Sequence, residues 1–282
     1  MKKIIFFFLV FIFIQSIYAQ NLEDKTYLLT NKQYTLSLST LSFIDPYLSP
    51  LSYNGIGIRY DGDSRRFLSP QNTKISLQNK LKLNAGLLLN PANTASMMYI
   101  GINEGWGLEY HFEPLNGLKL SAGGLWDIDF GFKDLERNVN NPINIDLATN
   151  LNITGIAGYD IQLRKKVLKL QLAIQCPLFG YLFVPSGGAS YYDMFELGNL
   201  TNTLHFSSLY NKRGINQTYS IEVPFNRSIW RFGFGFDYLK YSANNMVFVK
   251  NEFRILTGIT FDMATFAGRK NKAPMNFIST ND

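Results

Sequence analysis

The chain has 282 residues, with 27 Lys and Arg against 21 Asp and Glu and a formal net charge of +6. This mild positive charge is spread along the chain, so we do not expect the clustered basic surface that nucleic-acid binding needs. A single cysteine, Cys176, excludes an intramolecular disulfide. The two histidines show no metal-ligand spacing, so we predict neither a metal nor a cofactor.

The N-terminus predicts export from the cytoplasm. Lys2 and Lys3 precede an unbroken apolar run over 4–14, and Ala19 is a small residue just before Gln20. This order is typical of a secretory signal peptide. The run is shorter than the roughly 20 residues of a membrane-spanning helix. We therefore predict a signal peptide over 1–19 that is cleaved, with an uncleaved anchor as the alternative.

The rest of the chain combines many aromatic residues with a balanced hydropathy. Phe, Trp and Tyr make up 15% of the residues and charged residues 17%, yet the mean hydropathy is -0.05. After residue 20 no stretch approaches the length of an apolar membrane helix. Apolar and polar residues are instead interleaved one by one.

This interleaving follows a period of two. Within 74–87, Ile75, Leu77 and Leu83 alternate with Ser76 and Lys82, and the same pattern runs through 118–132, 143–164, 168–175 and 230–238. Successive side chains on a strand point to opposite faces, so each segment has one apolar and one polar face. The sequence therefore predicts an all-β protein.

The length of the segments favours a membrane barrel. Soluble strands usually have five or six residues, whereas a strand that crosses a membrane needs about 9 to 11. Backbone groups inside a bilayer must all be paired, so such strands close into a ring. The candidate strands are 33–43, 52–61, 74–89, 95–112, 117–132, 143–164, 167–183, 202–211, 215–224, 228–242 and 245–266, with 26–30 as a possible addition.

We therefore predict a single antiparallel transmembrane β-barrel over 20–266, followed by a polar tail over 267–282. Bacterial barrels of one chain have an even number of strands, so about twelve strands are preferred and ten are the fallback. A soluble lipocalin-like barrel or a large sandwich is the alternative. Long connections are expected at 61–73, 134–142 and 184–201.

The polar face of the strands is rich in charge, and we expect it to line the lumen. Opposite charges there should pair and fill a narrow barrel, so an open diffusion channel is not the first expectation. The charged residues assigned to this face are Arg59, Lys80, Lys82, Glu109, Asp127, Asp129, Asp146, Asp160, Arg164, Lys169, Arg231 and Asp237.

One short motif has catalytic potential. His205-Phe206-Ser207 places an imidazole and a hydroxyl on the same face of a strand. It resembles the His-x-Ser pair of outer-membrane phospholipase A and of barrel-shaped lipid A deacylases, in which an Asn or Glu orients the base; Asn216 and Glu222 on the following strand and the nearer Asn211 are the candidates here. Leu204 and Phe206 take the apolar face, however, so the pair faces the lumen, away from lipid. We interpret His205 as a lumenal histidine, with ester hydrolysis as an alternative.

The segment 185–199 contains a glycine pair, three aromatic rings and an acidic residue. The candidate loop or plug residues are Tyr191, Tyr192, Asp193 and Phe195. The segment resembles one found in uncharacterised barrels of Gram-negative outer membranes, the family of domain of unknown function 3316. The resemblance implies a barrel over most of the mature chain and implies no activity. We expect the segment to pack as a loop or to fold into the barrel mouth.

Three functions remain open from the sequence. The first is a structural or interaction role in the outer membrane, with outer-membrane lipid and another envelope protein as partners. The second is a narrow gated channel or transporter with 191–199 as its gate. The third is a lipid-active esterase that uses His205 and Ser207. An interaction role without a catalytic site is preferred.

Overall fold

The computed structural model describes residues 26–139, 141–163, 166–225, 228–264 and 276–280. The predicted signal peptide lies outside this part of the chain, as does most of the predicted tail. No helix among the described residues is long and apolar enough to cross a membrane.

The described chain is almost entirely β-structure. Thirteen strands and one short helix, α1 (Tyr191–Phe195), follow one another along it. The strands are β1 (Thr26–Leu28), β2 (Thr30–Asp45), β3 (Ser49–Ser69), β4 (Asn72–Leu89), β5 (Ser96–Leu115), β6 (Leu118–Asp134), β7 (Ile143–Leu163), β8 (Lys166–Phe183), β9 (Leu204–Ser208), β10 (Lys212–Phe225), β11 (Ser228–Ala243), β12 (Met246–Met263) and β13 (Asn276–Ile278).

Ten long strands close into an antiparallel ring. Each of β2 to β8 pairs with its neighbour in the chain, β10 pairs with β11, and β11 pairs with β12. Two further pairings close the ring: β12 with β2, and β10 with β8. The predicted all-β, single antiparallel barrel is confirmed, with the fallback count of ten strands and not the preferred twelve.

The strand count differs because two predicted segments share one place in the wall. The short strand β9 pairs with Phe179–Phe183 of β8, whereas β10 pairs with 169–175 of the same strand. A turn at 209–211 separates them. The possible strand at 26–30 does exist as β1, but it pairs in parallel with β13 outside the ring.

The long connection predicted at 61–73 is wrong, because β3 continues to Ser69 and β4 begins at Asn72. Asp61, Asp63 and Arg65 made this stretch resemble a loop. They alternate along β3 with their side chains in ion pairs inside the barrel. A narrow polar lumen tolerates charge in a strand when each charge has a partner.

The apolar face of the strands points outward. Leu36, Leu38, Ile56 and Ile58 are more than half exposed, while Ser37 and Ser39 between them are buried. A soluble barrel buries its apolar face inside, whereas a membrane barrel turns it toward lipid. The alternation therefore identifies a transmembrane barrel, not the lipocalin-like alternative.

The two ends of the barrel differ in their connections. At the end that we call the turn end, β3 is joined to β4 by residues 70–71 and β5 to β6 by residues 116–117. The opposite end, which we call the loop end, carries the connections 90–95, 135–142 and 184–203. In outer-membrane barrels short turns face the periplasm and long loops face outward. The predicted connections at 134–142 and 184–201 both belong to the loop end.

We expect Leu38→Arg to destabilise the barrel by about 2–4 kcal/mol, the cost of a cation on the lipid face near the midplane. Leu38 is 71% exposed in the middle of β2. Tyr210→Arg is the control, because Tyr210 is 92% exposed in a turn. Urea unfolding from phospholipid vesicles measures both changes. Equal and small effects would contradict a membrane-facing surface.

Candidate functional site: the closed lumen and its cap

Paired charges fill the half of the lumen nearer the turn end. The guanidinium of Arg59 lies 2.8 Å from Asp61 Oδ1, 2.5 Å from Asp237 Oδ2 and 3.3 Å from Glu252 Oε2. Arg254 Nη1 lies 2.7 Å from the other oxygen of Asp237. Arg59 and Arg254 are almost completely buried. Removing one partner from such a group leaves a buried charge unpaired, which costs several kcal/mol, so the ion pairs stabilise the closed lumen.

A second group of charges lies closer to the turn end. Arg65 Nη2 is 2.6 Å from Asp63 Oδ2, and its Nε is 3.3 Å from Glu109 Oε2. Arg231 hydrogen-bonds Gln33 and lies 3.9 Å from Glu222. The predicted lumenal ion pairs are therefore present at Arg59, Glu109, Arg231 and Asp237. Within the described residues, Lys80, Lys82, Asp127 and Asp129 of the predicted set form no ion pair, and Arg164 lies outside the described residues.

A polar cavity of about 170 Å³ occupies the middle of the lumen. Three lysines line it: Lys82, Lys212 and Lys250. Lys82 Nζ donates to Gln175 at 3.3 Å and Lys212 Nζ to Asn150 at 2.5 Å. The same two amides donate to Asp127, at 3.2 Å and 2.7 Å. Neutral amides thus join the ammonium groups of Lys82 and Lys212 to the carboxylate of Asp127.

An apolar layer closes the lumen above this cavity, near the loop end. Its buried residues are Leu41, Phe43, Tyr47, Leu48, Tyr53, Leu88, Ala95, Met97, Tyr99, Leu135, Leu182, Val184, Ala243 and Phe248. The rings of Phe43 and Tyr99 meet edge to face at 4.8 Å. Lys250 Nζ lies 4.6 Å from the centre of the Tyr99 ring. Lys133 Nζ and Lys250 Nζ also lie 5.8 Å and 5.6 Å from the centre of the Phe43 ring, so the layer combines apolar side chains with two ammonium groups.

Asp45 joins the apolar layer to the loops above it. Its Oδ2 accepts from Lys133 Nζ at 2.7 Å and from Asn144 Nδ2 at 2.8 Å. Its Oδ1 accepts the backbone N–H groups of Tyr47 at 3.2 Å and Leu48 at 3.4 Å. One buried carboxylate therefore fixes the β2–β3 connection to the ends of β6 and β7.

The connection 184–203, which we call the cap, folds over this end. Its helix α1 begins with a capping box: Ser190 Oγ accepts from Asp193 N at 3.1 Å, and Asp193 Oδ2 accepts from Ser190 N at 3.1 Å. Hydrogen bonds from Ser190 lower the pKa of Asp193. The cap is therefore ordered by its own local sequence as well as by the barrel.

Two tyrosines attach the cap to the barrel. Tyr191 Oη donates to Asn144 Oδ1 at 3.0 Å and accepts from Ile145 N at 2.6 Å. Tyr47 Oη donates to the carbonyl of Ala189 at 2.7 Å. Burial, followed by the negative charge of Asp45, raises the pKa of Tyr47 to about 12. Both phenols remain neutral donors at ordinary pH.

The candidate loop residues have distinct positions. Tyr191 contacts the barrel, and Asp193 caps α1. Tyr192 and Phe195 are 64% and 61% exposed, and Phe195 stacks on Tyr191 at 6.0 Å and on Phe183, the last residue of β8, at 6.4 Å. Met194 is buried beneath them. The cap therefore has an anchored inner face and an apolar outer face.

The structure brings His205 and Ser207 to one inward face of β9 but does not bring Asn216 to them. His205 Nε2 and Ser207 Oγ are buried, and neither has a hydrogen-bond partner within the described ranges. Ser207 pairs with Gly180 of β8 and Asn216 with Gln175, five residues further along, about 17 Å. Asn216 instead hydrogen-bonds Asp237.

Sequence reasoning missed three residues. Tyr47 and Asp45 lie at a strand end without a recognisable motif, so no sequence signal identified them. Glu104 did carry a signal: it is the one charged residue in the outward series Met98, Ile100, Ile102, Glu104, Trp106, Leu108, Tyr110. It interrupts the apolar face of β5.

Residues 4–270 match the family described as protein of unknown function (DUF3316). The chain belongs to this family. No curated protein matches it in sequence. Among the described residues, no group of three or more His, Cys, Asp or Glu side chains is arranged to hold a metal ion.

Solved barrels with similar structures are remote. The outer-membrane protease OmpT of Escherichia coli is 8% identical, with a TM-score of 0.44 over 88% of this chain and 100% of that one. The translocator domain of the autotransporter NalP of Neisseria meningitidis is 7% identical, with a TM-score of 0.40 over 85% and 90%. At this distance neither says anything about the function of the DUF3316 protein.

We expect Asp237→Asn to destabilise the barrel by about 3–5 kcal/mol, because Arg59 and Arg254 both lose a charged partner in the buried network. Asp160→Asn is the matched control. Its ion pair with Lys119, at 3.1 Å, is partly exposed near the turn end and should contribute less than about 1 kcal/mol. Urea unfolding in vesicles compares the two, and equal losses would contradict a tightly coupled lumenal network.

The raised pKa of Tyr47 predicts a loss of cap attachment in alkali. The neutral phenol stabilises the folded cap fully below about pH 10, the unfolded pKa of tyrosine. That contribution is lost as the pH rises toward 12. A fluorophore on Ser186→Cys in a Cys176→Ser background should report this change. In Tyr47→Phe the transition between pH 10 and 12 should be absent; its persistence would show that another group controls the cap.

Proposed function

We propose that this DUF3316 protein is a closed outer-membrane barrel with a structural or interaction role, and that its cap is the surface offered to a partner. The observation that carries the proposal is the double closure of the lumen. Ion pairs cross the half near the turn end, around a cavity of about 60 Å³, and the apolar layer with the cap covers the loop end. A barrel built in this way serves as an anchor better than as a pore.

The proposal includes the location of the protein. A cleaved signal peptide over 1–19 would deliver it to the envelope, and the outward apolar face would hold it in the outer membrane. The loop end, with the cap, would then face outward. Outer-membrane lipid surrounds the barrel in this arrangement, and the expected protein partner is another envelope component.

The outer face of the cap supports an interaction role. Tyr192, Phe195, Leu197 and Leu200 are each more than half exposed within a few residues of one another. They follow the end of β8 in the chain, and Phe195 stacks on Phe183, the last residue of that strand. Contiguous exposed apolar residues on a surface loop are a common sign of a contact site. Lipid hydrolysis at Ser207 is not part of the proposal, since Asn216 is engaged elsewhere.

A gated channel is the second candidate, and one observation favours it. A second cavity of about 60 Å³ lies beside the central one, and Arg59, Lys82, Gln175 and Asn216 line both. Polar space therefore extends along the lumen as far as the apolar layer. In that case the cap and the apolar layer would be the gate.

Conductance across a planar lipid bilayer separates the two functions. A closed barrel predicts no channel openings for the wild type, and none after deletion of 186–196, because the apolar layer still seals the lumen. A gated channel predicts openings in the deletion variant. Combining the deletion with Phe43→Ala should still give no openings if the barrel is closed, because the ion pairs near the turn end remain, whereas a gated channel should conduct more strongly. Openings in the wild type would contradict the closed-barrel proposal.

The interaction role is tested on the cap itself. We expect Tyr192→Ser with Phe195→Ser to abolish chemical crosslinks between the cap and its envelope partner in intact cells, without changing the heat-dependent gel mobility of the folded barrel. Tyr210→Ser is the control, because it removes an even more exposed ring outside the cap. Crosslinks that survive the double substitution would exclude this surface.

A further inference from the structure

A polar cluster interrupts the lipid-facing surface at mid-height. Glu104 lies on the outward side of β5, between Ile102 and Trp106, because the flanking Asn103 and Gly105 face the lumen. Its position is midway between Met98 and Tyr110, the outward residues near the two ends of the strand. A carboxyl group at this depth in the bilayer costs free energy unless a polar partner covers it.

The barrel satisfies only part of this cluster. Asn79 Nδ2 of β4 donates to Glu104 Oε1 at 2.6 Å. Within the described chain the other carboxyl oxygen has no donor. Trp126 of β6 donates its indole N–H to Thr149 at 2.7 Å. No described residue accepts from the indole N–H of Trp106, although the Trp106 and Trp126 rings stack at 5.5 Å.

The two tryptophans lie at mid-height and not at the membrane interfaces, where tryptophan is usual. Tryptophan in membrane barrels is enriched at the two water interfaces, where its N–H remains hydrated. Trp106 and Trp126 face each other across β5 and β6, next to Glu104 and well inside the apolar belt. Lipid tails offer nothing to an indole N–H or to a carboxyl oxygen, so this surface favours contact with protein.

We propose that Asn79, Glu104, Trp106, Trp126 and Thr149 form the contact surface for a second copy of this chain within the membrane. The surface holds both an unused donor, at Trp106, and an unused acceptor, at Glu104, so it is complementary to itself. Rotation about a two-fold axis places Trp106 of each copy against Glu104 of the other. The two outward positions are about 7 Å apart along the strand, which both long side chains can span.

The distribution of charge argues against a head-to-tail arrangement. The outward-facing cations of the described strands lie near the ends: Lys32, Arg66 and Lys166 toward the turn end, and Arg213 and Lys240 toward the loop end. None of them is at the height of Glu104, so no other described face offers a cation to its carboxyl group. The outward polar residues Gln217 and Thr257 are neutral. A two-fold contact, the commonest symmetry of oligomers, is the arrangement that satisfies both groups. This inference is independent of the cap and of its partner.

The test measures dimerisation of the full folded barrel in phosphatidylcholine vesicles. Single-molecule photobleaching counts the copies as the protein-to-lipid ratio changes. We expect a wild-type dimer, and dissociation constants raised about ten-fold by Glu104→Leu and by Trp106→Phe, in line with the modest strength of polar contacts in membranes. Trp230→Phe, the same change on the opposite side of the ring, should leave the constant unaltered.

A second measurement locates the contact and does not depend on affinity. In a Cys176→Ser background, Ile128→Cys beside Glu104 should form a disulfide between copies, whereas Phe253→Cys on β12 should not. Heat-dependent gel mobility confirms that each variant is folded. A wild type that stays monomeric at all ratios would overturn the proposal. A dimer unaffected by both Glu104→Leu and Trp106→Phe, or crosslinked at Phe253→Cys alone, would also overturn it.

Discussion

Every backbone N–H and C=O inside a bilayer needs a partner, and the rest of this structure follows from that constraint. Neither an open sheet nor a two-layered sandwich meets this requirement, because both leave edge strands unpaired. The last strand must therefore pair with the first and close the sheet into a ring. Here β12 closes on β2, and β10 replaces β9 beside β8 partway down the wall. Closure leaves one face of every strand to lipid and the other to a narrow lumen. The period of two in the sequence supplies side chains suited to each.

The interior of the ten-stranded ring is narrow and is occupied mainly by side chains. A ring of this width is too small to leave an aqueous pore once arginine and glutamate side chains enter it. Most of the charges meet opposite charges from other strands, as Arg59 does with Asp237. Near the loop end apolar side chains dominate the inward positions, with Lys133 and Lys250 beside them, and the cap covers them. The interior therefore passes from ion pairs through a central cavity to a mainly apolar layer.

The polar cluster at Glu104 is the place where the residue types of the outer surface change, as those of the lumen change along its length. On the other described strands the outward side chains at mid-height are uncharged, although Gln217 and Thr257 are polar, and charge appears only near the two ends. A single carboxyl group with two stacked tryptophans departs from that pattern at one place, on one side of the ring. Such departures mark sites where a membrane protein meets something other than lipid.

Sequence alone determined the strands and the direction in which their faces point, because alternation is a local property of the chain. All eleven candidate segments are strands, and the prediction that His205 and Ser207 face inward agrees with their burial. The closure of the ring, the place of β9 and the partner of each charge were decided by the tertiary structure. Register joins residues that are far apart in the chain, such as Arg59 and Asp237, and no local pattern encodes it. For the same reason the charged stretch 61–69 resembled a loop until the strands opposite it supplied partners for its charges.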